Sequence, residues 1–252
     1  MIADAHFTIG LGHLVCQDYA LAGSVGGRWV ALVSDGCSSS PDTDLGARIL
    51  ARSFLAAVLD GLAVDAAVER SLDTAQAVAE RLGLPEDSLD ATLCGWIVEN
   101  EVAHGFIHGD GVLAFRTAAG VEIHHATQAA NAPDYPNYRK NHARALAHHS
   151  AYGCDTSISV LGSEPGVVTV RGGYHAEISL AQTLMVAAFS DGVATVHNGG
   201  RTLPVGAVVE SLTQFPQLSG AFFHRRVRRQ IKDWAKDGLA PTDDLAGAVL
   251  VT

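Results

Sequence analysis

Apolar residues in the first third of the chain form one continuous run and then recur at helical spacing. The run from Trp29 to Ser34, rich in Val and Leu, predicts a buried strand that ends in a tight bend at Asp35-Gly36. Apolar positions three and four apart from Leu45 to Leu59, and again from Val64 to Leu82, predict two consecutive amphipathic helices. The second helix is expected to end at Gly83.

Short β-like runs separated by turn signals fill the middle of the chain. The signals Glu-Asn, Gly-Asp-Gly and Ala-Ala-Gly favour antiparallel hairpins in a meander. Residues 126–155 have no clean period, so we expect a long irregular excursion there, with a helix near Asn141 to His149. Excursions of this length inside a compact domain often serve a site. The predicted strands are Thr92 to Val98, Val102 to Ile107, Val112 to Phe115 and Val121 to His124.

The order of the predicted elements along the chain indicates the fold class. The overall order is strands, a helix pair, many antiparallel strands, helices and a last strand. This order indicates an α+β fold rather than alternating βαβ units. The remaining predicted strands are Thr156 to Leu161, Val167 to Val170, Leu184 to Phe189 and Leu245 to Val251, and the remaining predicted helices are Pro204 to Leu212 and Ser219 to Lys236.

Length and charge limit the classes of protein to consider. The chain has 252 residues, 48% of them hydrophobic, which suits one domain over residues 1–252. A formal net charge of −10 disfavours nucleic acid as a partner, because a surface of that sign repels phosphate backbones. No run approaches the roughly 18 apolar residues of a membrane span, and no signal-peptide pattern is seen, so we expect a cytoplasmic protein without membrane contact.

Cysteine usage argues against a zinc ribbon or a disulfide framework. The four cysteines are scattered without any CxxC pair, and we expect reduced thiols at each of them. They are Cys16, Cys37, Cys94 and Cys154.

Aspartate followed by glycine occurs after an apolar run at three places, Asp35, Asp110 and Asp191, while Asp18 and Asp243 flank other strands. An Asp-Gly pair is often only a hairpin turn, because both residues tolerate positive φ. Asp110 fits that interpretation best, since it lies between two β-like runs. Asp35 leads into a loop and a helix instead, where a carboxylate is well placed to ligate a cation. The spacing leaves open whether these carboxylates meet.

Six ordered motifs resemble the protein phosphatase 2C family over essentially the whole chain. Together they are specific, although each alone is weak. The motifs are Cys16-Gln17-Asp18, Val33-Ser34-Asp35-Gly36, Asp90-Ala91-Thr92-Leu93, Gly109-Asp110-Gly111, Phe189-Ser190-Asp191-Gly192 and Thr242-Asp243-Asp244.

The resemblance implies a four-layer α-β-β-α sandwich, with two mainly antiparallel sheets packed face to face and flanked by helix pairs. It implies that four carboxylates and one carbonyl hold two Mn²⁺ or Mg²⁺ ions, and that Asp110 contributes to a third, weaker site. These hard cations prefer oxygen ligands. A water bridging the two ions would attack the phosphoester of a phosphorylated protein, the product of a Ser/Thr kinase system. The implied ligands are Asp18, Asp35, Asp191, Asp243 and the Gly36 carbonyl.

Two positions depart from the family pattern. His13 stands five residues before Asp18, where the family usually has an arginine that grips the substrate phosphate. A histidine gives one donor and is charged only below its pKa, whereas a guanidinium is always charged and binds phosphate through two donors. Cys37 stands where many eukaryotic relatives have a histidine, but no Cys-x₅-Arg phosphate cradle follows it. We therefore expect His13 to contact the substrate phosphate and Cys37 to be a small buried residue.

Other features have a plainer interpretation. The paired histidines at 124–125 and 148–149 project in different directions, so they are poor bidentate ligands, and we expect a solvated loop. Basic residues from Arg225 to Lys236 predict either the solvated face of a docked helix or a local dock for an acidic partner.

Three functions remain open. The first is a metal-dependent Ser/Thr phosphoprotein phosphatase, and the second, motivated by His13, is a phosphatase of small phosphoesters. The third is a catalytically silent binding module that retains the fold and acts as a sensor or a scaffold. The retained aspartates argue against silence, because a module without catalysis has no need of mutually repelling carboxylates.

Overall fold

Two antiparallel β-sheets form the centre of this computed structural model, which describes residues 1–252 apart from the Val25 side chain. The strands are β1 (Ile2–Thr8), β2 (Asp18–Val25), β3 (Arg28–Asp35), β4 (Leu93–Glu99), β5 (Val102–His108), β6 (Gly111–Thr117), β7 (Gly120–Gln128), β8 (Asp155–Leu161), β9 (Gly166–Arg171), β10 (Tyr174–Ser179), β11 (Thr183–Phe189), β12 (Val196–His197), β13 (Ala240–Pro241) and β14 (Leu245–Val251). The seven-stranded sheet has the order β1-β14-β11-β6-β7-β8-β9 and the five-stranded sheet the order β10-β5-β4-β3-β2, while β12 and β13 form a small separate ribbon.

The helices agree closely with the sequence pattern. They are α1 (Thr43–Leu59), α2 (Val64–Leu82), α3 (His142–Tyr152), α4 (Val205–Leu212) and α5 (Phe222–Lys236). The prediction was wrong at the start of α5, which was expected at Ser219. Gly220 has a φ of 56°, which interrupts a helix, and the first turn instead donates its Phe223 and His224 backbone N–H groups to the Asp4 carboxylate. None of the described helices is both long enough and apolar enough to cross a lipid bilayer.

Three apolar clusters hold four layers together. One contains Leu50, Phe54 and Leu72 and packs α1 and α2 on the five-stranded sheet. A second packs α4 and α5 on the seven-stranded sheet. The third lies between the sheets, where the buried Trp96 donates its Nε1–H to the Ala187 carbonyl at 2.8 Å. The expected α+β, four-layer arrangement with helix pairs outside two antiparallel sheets is therefore confirmed.

The expected hairpin at Asp110-Gly111 was wrong. Strand β5 belongs to the five-stranded sheet and β6 to the seven-stranded sheet, so the chain crosses between the layers here instead of returning in a meander. Gly109 and Gly111 have φ values of 93° and 129°, which only glycine adopts readily and which permit the sharp crossing. Asp110 therefore lies at a junction between the sheets and not at the tip of a turn.

The irregular excursion is shorter than predicted. The strand predicted to end at His124 continues to Gln128, and β8 begins at Asp155, so His125 also lies on a strand and the expected solvated loop around this histidine pair is absent. Residues 129–154, which we call the flap, contain two short 3₁₀ turns and α3, in the place where a helix was expected. The Asn141 side chain caps α3 by accepting from the Arg144 N–H at 3.2 Å. Strand β10 lies where none was predicted.

Candidate metal centre

The five predicted aspartates come from both sheets and meet at one edge of the sandwich. Asp18 begins β2 and Asp35 ends β3, and the two residues pair directly across these antiparallel strands. Asp110 lies at the crossing between β5 and β6. Asp191 follows β11 and Asp243 precedes β14, which is the neighbour of β11 in the seven-stranded sheet. The topology therefore brings together carboxylates that are up to 225 residues apart in sequence.

A small polar cavity of about 140 Å³ opens among these side chains. Larger cavities of about 280 to 480 Å³ lie elsewhere, and none of them is lined by any of these aspartates. Asp18 is paired with Asp35 but does not line the cavity itself, and it is only 1% exposed. The predicted residues that line the cavity are His13, Asp35, Gly36, Asp110, Asp191 and Asp243.

Crowding of buried carboxylates raises their pKa values. For Asp18, Asp35 and Asp110, burial is the largest cause and repulsion from neighbouring aspartates adds to it, so each pKa lies well above its usual value. Burial, then repulsion from Asp243, raises the pKa of Asp191 to about 6, although Asp35 and Asp191 keep part of their surface open to the cavity. A divalent cation at this position would remove that repulsion.

One oxygen of the cluster is buried without a partner among the described residues. Ser190 Oγ donates to Asp18 Oδ2 at 2.6 Å, whereas Asp18 Oδ1 has no hydrogen bond. A buried carboxylate oxygen without a donor is costly, and a cation would satisfy it. The aspartates supply oxygen ligands only, as Mg²⁺ and Mn²⁺ prefer. The residues present therefore fit the expected ions.

Backbone contacts keep the loop after β3 close to the cluster. The Thr92 N–H donates to the Asp35 carbonyl at 2.8 Å, and Thr92 Oγ1 accepts from the Asp35 N–H at 3.1 Å. A Cβ added at Gly36 would come within 2.7 Å of the Thr43 carbonyl oxygen. Glycine is thus needed for the turn that presents the predicted carbonyl ligand.

His13 reaches the cavity as expected, but it lies between two carboxylates. Its Nε2 is 3.2 Å from Asp243 Oδ1, and its Nδ1 is 3.1 Å from Asp244 Oδ2 in a direction unsuited to a hydrogen bond. The buried Asp244 also accepts from the Gly10 and Gln17 N–H groups at 2.8 and 2.6 Å. A phosphate contact by His13 would therefore compete with contacts to these acidic groups.

Sequence reasoning missed the supporting residues Asp244, Ser190 and Thr92. Each lies within a motif that was recognised, directly beside or near a predicted ligand. Their neighbours in the motifs were the only signal, because their roles depend on contacts between distant segments.

Cys37 is half-buried at the cavity wall and not fully enclosed. Burial raises the pKa of its thiol, but hydrogen bonds with Ser39 and Tyr135 outweigh burial, so the pKa is lowered overall. The Ser39 hydroxyl is 3.1 Å from the thiol. None of the described residues lining the cavity is an arginine that could form a cysteine-phosphatase cradle.

A second group of ligand-type side chains, Asp65, His108 and His175, lies outside this cavity, with its ligand atoms within 4.8 Å of one another. Burial lowers the pKa of His108 to about 3, so its ring is neutral. Arg139 Nη2 lies 2.9 Å from His108 Nδ1, and a guanidinium can only donate. The ring hydrogen must then be on Nε2. Nδ1 is thus occupied by Arg139, while Nε2 carries a hydrogen that finds no acceptor among the described residues. A metal would have to displace Arg139 or that hydrogen, so this group is poorly prepared for a metal.

Comparisons with known proteins agree with the fold and the motifs. A family model described as protein phosphatase 2C matches residues 11–239. The Ser/Thr phosphatase Stp1 of Staphylococcus aureus has a TM-score of 0.61 at 8% identity, covering 99% of this chain and 94% of that one. The S. agalactiae Ser/Thr phosphatase has a TM-score of 0.58 at 13% identity, covering 100% and 99%.

A chain from a structure of the bacterial stressosome, described as a modular system adapted to control secondary messenger signalling, has a TM-score of 0.51 at 16% identity, covering 98% and 97%. At such identities these likenesses show the fold alone. No curated protein sequence matches the chain. The family model spans nearly the whole chain, and the chain belongs to the protein phosphatase 2C family.

Proposed function

We propose that this protein is a metal-dependent Ser/Thr phosphoprotein phosphatase that hydrolyses phosphomonoesters with two Mn²⁺ or Mg²⁺ ions. The observation that carries the proposal is that four aspartates line one small cavity, with Asp18 paired to Asp35 beside it and its Oδ1 buried and unpartnered. Asp18, Asp35, Asp191, Asp243 and the Gly36 carbonyl would hold the two ions, and Asp110 would contribute to a third, weaker one.

When bound, the ions would lower the pKa of water and neutralise charge that develops on the phosphoryl oxygens. The protein itself brings little positive charge to the cavity. None of the described lining residues is Lys or Arg, and His13 is the one lining residue that can become cationic. The aspartates therefore serve to concentrate cations, and phosphate binding should depend strongly on them.

The size of the cavity favours a protein substrate over a small metabolite. Pockets that enclose whole small molecules have volumes of about 300–1,000 Å³. The carboxylate cavity is about 140 Å³, which suits a phosphoryl group whose parent molecule remains outside. We infer that the substrate is a phosphorylated Ser or Thr on a protein surface, produced by a kinase in the cytoplasm.

The contacts of His13 leave two other functions open. Because His13 lies against Asp243 and Asp244, it is less free to bind phosphate than an arginine reaching the cavity from the same position. The corresponding alternatives are a phosphatase of small phosphoesters and a silent module that senses a ligand. Phosphatase and binding assays distinguish them.

Phosphate release from phosphoserine and phosphothreonine peptides and from p-nitrophenyl phosphate tests the proposal. We expect hydrolysis of both substrate types with Mn²⁺ or Mg²⁺, none in chelator, and a loss of orders of magnitude in Asp35→Asn, which removes a ligand charge. Glu164→Gln removes the same charge from an exposed loop and should retain activity.

Two results would contradict the proposal. Full turnover after exhaustive chelation would exclude the ions from the reaction. Binding of Mn²⁺ with no hydrolysis of any phosphoester would support the silent module.

A further inference from the structure

The flap forms one wall of the carboxylate cavity. Asn131, Pro133 and Tyr135 line the cavity together with the aspartates, and the Tyr135 hydroxyl lies beside the Cys37 thiol. Pro133 and Tyr135 are buried although they belong to a long connection. Because residues 129–154 belong to no strand, side-chain contacts must hold the flap in this position.

The deepest anchor is the carboxylate of Asp90, which is only 2% exposed. Asp90 Oδ1 accepts from Asn137 Nδ2 at 3.1 Å, and Asp90 Oδ2 accepts from Arg144 Nη2 at 2.5 Å. Asn137 precedes α3 and Arg144 lies in its first turn, so one carboxylate holds residues of the flap on both sides of the point where α3 begins. Charge-assisted hydrogen bonds are about twice as strong as neutral ones.

The same residue also contacts the loop that follows the proposed ligand Asp35. The Cys37 N–H donates to the Asp90 carbonyl at 2.8 Å, and Ser40 Oγ donates to Asp90 Oδ2 at 3.2 Å. Gly36 forms a β-bridge with Ala91, the next residue. Asp90 is thus bonded on one side to the flap and on the other to the loop of the metal centre.

We propose that Asp90 is a positioning residue that latches the flap over the carboxylate cavity and so sets the affinity for phosphoprotein substrates. The latch consists of Asp90, Asn137 and Arg144. This inference rests on the proposed function for its effect on substrate, but the latch itself can be tested without any activity.

A second anchor of the flap provides a matched control. Arg139 and Lys140 bind Glu69 on α2 at 3.1 and 3.4 Å, and the Glu69 side chain is 50% exposed. Exposed ion pairs contribute little because water screens them. Glu69→Gln removes one carboxylate charge that contacts the flap, as Asp90→Asn does, but at the surface.

Hydrogen exchange followed by mass spectrometry measures the latch directly. Losing a charged, buried hydrogen bond should speed amide exchange in residues 131–152 of Asp90→Asn by about tenfold or more, while β11 and α1 are unchanged. Arg144→Gln removes the same hydrogen bond by changing the partner that is more exposed. This variant therefore tests the latch even if Asp90→Asn folds poorly. Glu69→Gln should exchange like the wild type.

Steady-state kinetics then separate positioning from simple loss of folded protein. If the fraction of molecules with a latched flap falls to roughly a third, KM for a phosphopeptide should rise about threefold while kcat changes little. p-Nitrophenyl phosphate, which needs only the cavity, should be affected less. A fall in kcat alone would instead indicate fewer active molecules.

Unchanged exchange of residues 131–152 in both latch variants would overturn the inference, as would faster exchange spread evenly over the whole chain. Changed exchange with an unchanged phosphopeptide KM would also overturn the link to substrate. A wild type without phosphatase activity would contradict the proposed function, but it would not affect what hydrogen exchange shows about the latch.

Discussion

Replacing Asp191 with Asn should stabilise the ion-free protein while removing its response to metal. Burial and the charge of Asp243 raise the pKa of Asp191 from its usual 3.8 to about 6. The folded protein therefore binds more protons than the unfolded chain between these pH values, and its stability falls as the pH rises through this window. Above about pH 6 the folded protein carries the full free-energy penalty of the buried Asp191 charge, and an uncharged Asn avoids this penalty.

The expected magnitude follows from the two pKa values. At 1.36 kcal/mol per pKa unit, the change from 3.8 to about 6 corresponds to about 3 kcal/mol. This value is an upper bound, because Asp191 keeps part of its surface open to solvent, which screens the charge. For a chain of this length, 3 kcal/mol corresponds to a rise in Tm of about 6 °C.

Thermal unfolding in chelator from pH 4 to pH 8 provides the assay. Asp191→Asn should be more stable than the wild type at pH 8, and the difference should shrink toward zero near pH 4. With Mn²⁺ the order should reverse, because ligand binding stabilises only the protein that retains the site. Glu164→Gln, at an exposed position, controls for the change in net charge. An Asp191→Asn variant that is less stable than the wild type in chelator at pH 8 would refute the reasoning.

Three further substitutions test separate parts of the structure. Trp96→Phe removes the indole N–H that donates to the Ala187 carbonyl between the sheets and should lower the free energy of unfolding in urea by about 1–3 kcal/mol; an unchanged value would contradict that role. Cys37→Ser should keep most phosphatase activity, and iodoacetamide should leave the wild type active, because no thiolate nucleophile is proposed. Loss of activity in either experiment would indicate a cysteine nucleophile. His13→Arg should lower KM for phosphoesters at fixed Mn²⁺, since a guanidinium binds phosphate through two donors; an equal KM would show that residue 13 does not face the substrate.

Local patterns in the sequence predicted most elements because helices and strands bury apolar residues with fixed periods. The helix over Val64–Leu82 and the strand over Leu245–Val251 have the predicted bounds. The start of α5 could not be predicted, since its first turn is capped by Asp4, more than 200 residues away. The hairpin expected at Asp110 failed for a similar reason. An Asp-Gly pair describes a tight bend but not which sheet the next strand joins.

The candidate site was predicted only in part. The spacing of Asp35 and Asp191 could not show that they meet, and only the resemblance of ordered motifs suggested it. The contact of His13 with Asp243 and Asp244, and the attachment of the flap to Asp90, depend on side chains distant in sequence. Such contacts leave no periodic signal.

The central claim is that the aspartates hold a pair of ions, and electron paramagnetic resonance of the Mn²⁺-loaded protein tests it most directly. Two Mn²⁺ ions in a shared site lie about 3.5–4 Å apart and interact magnetically. With two equivalents of Mn²⁺ the wild type should give the spectrum of a coupled pair, and Asp35→Asn should not. A spectrum of isolated Mn²⁺ in the wild type at two equivalents would contradict the account.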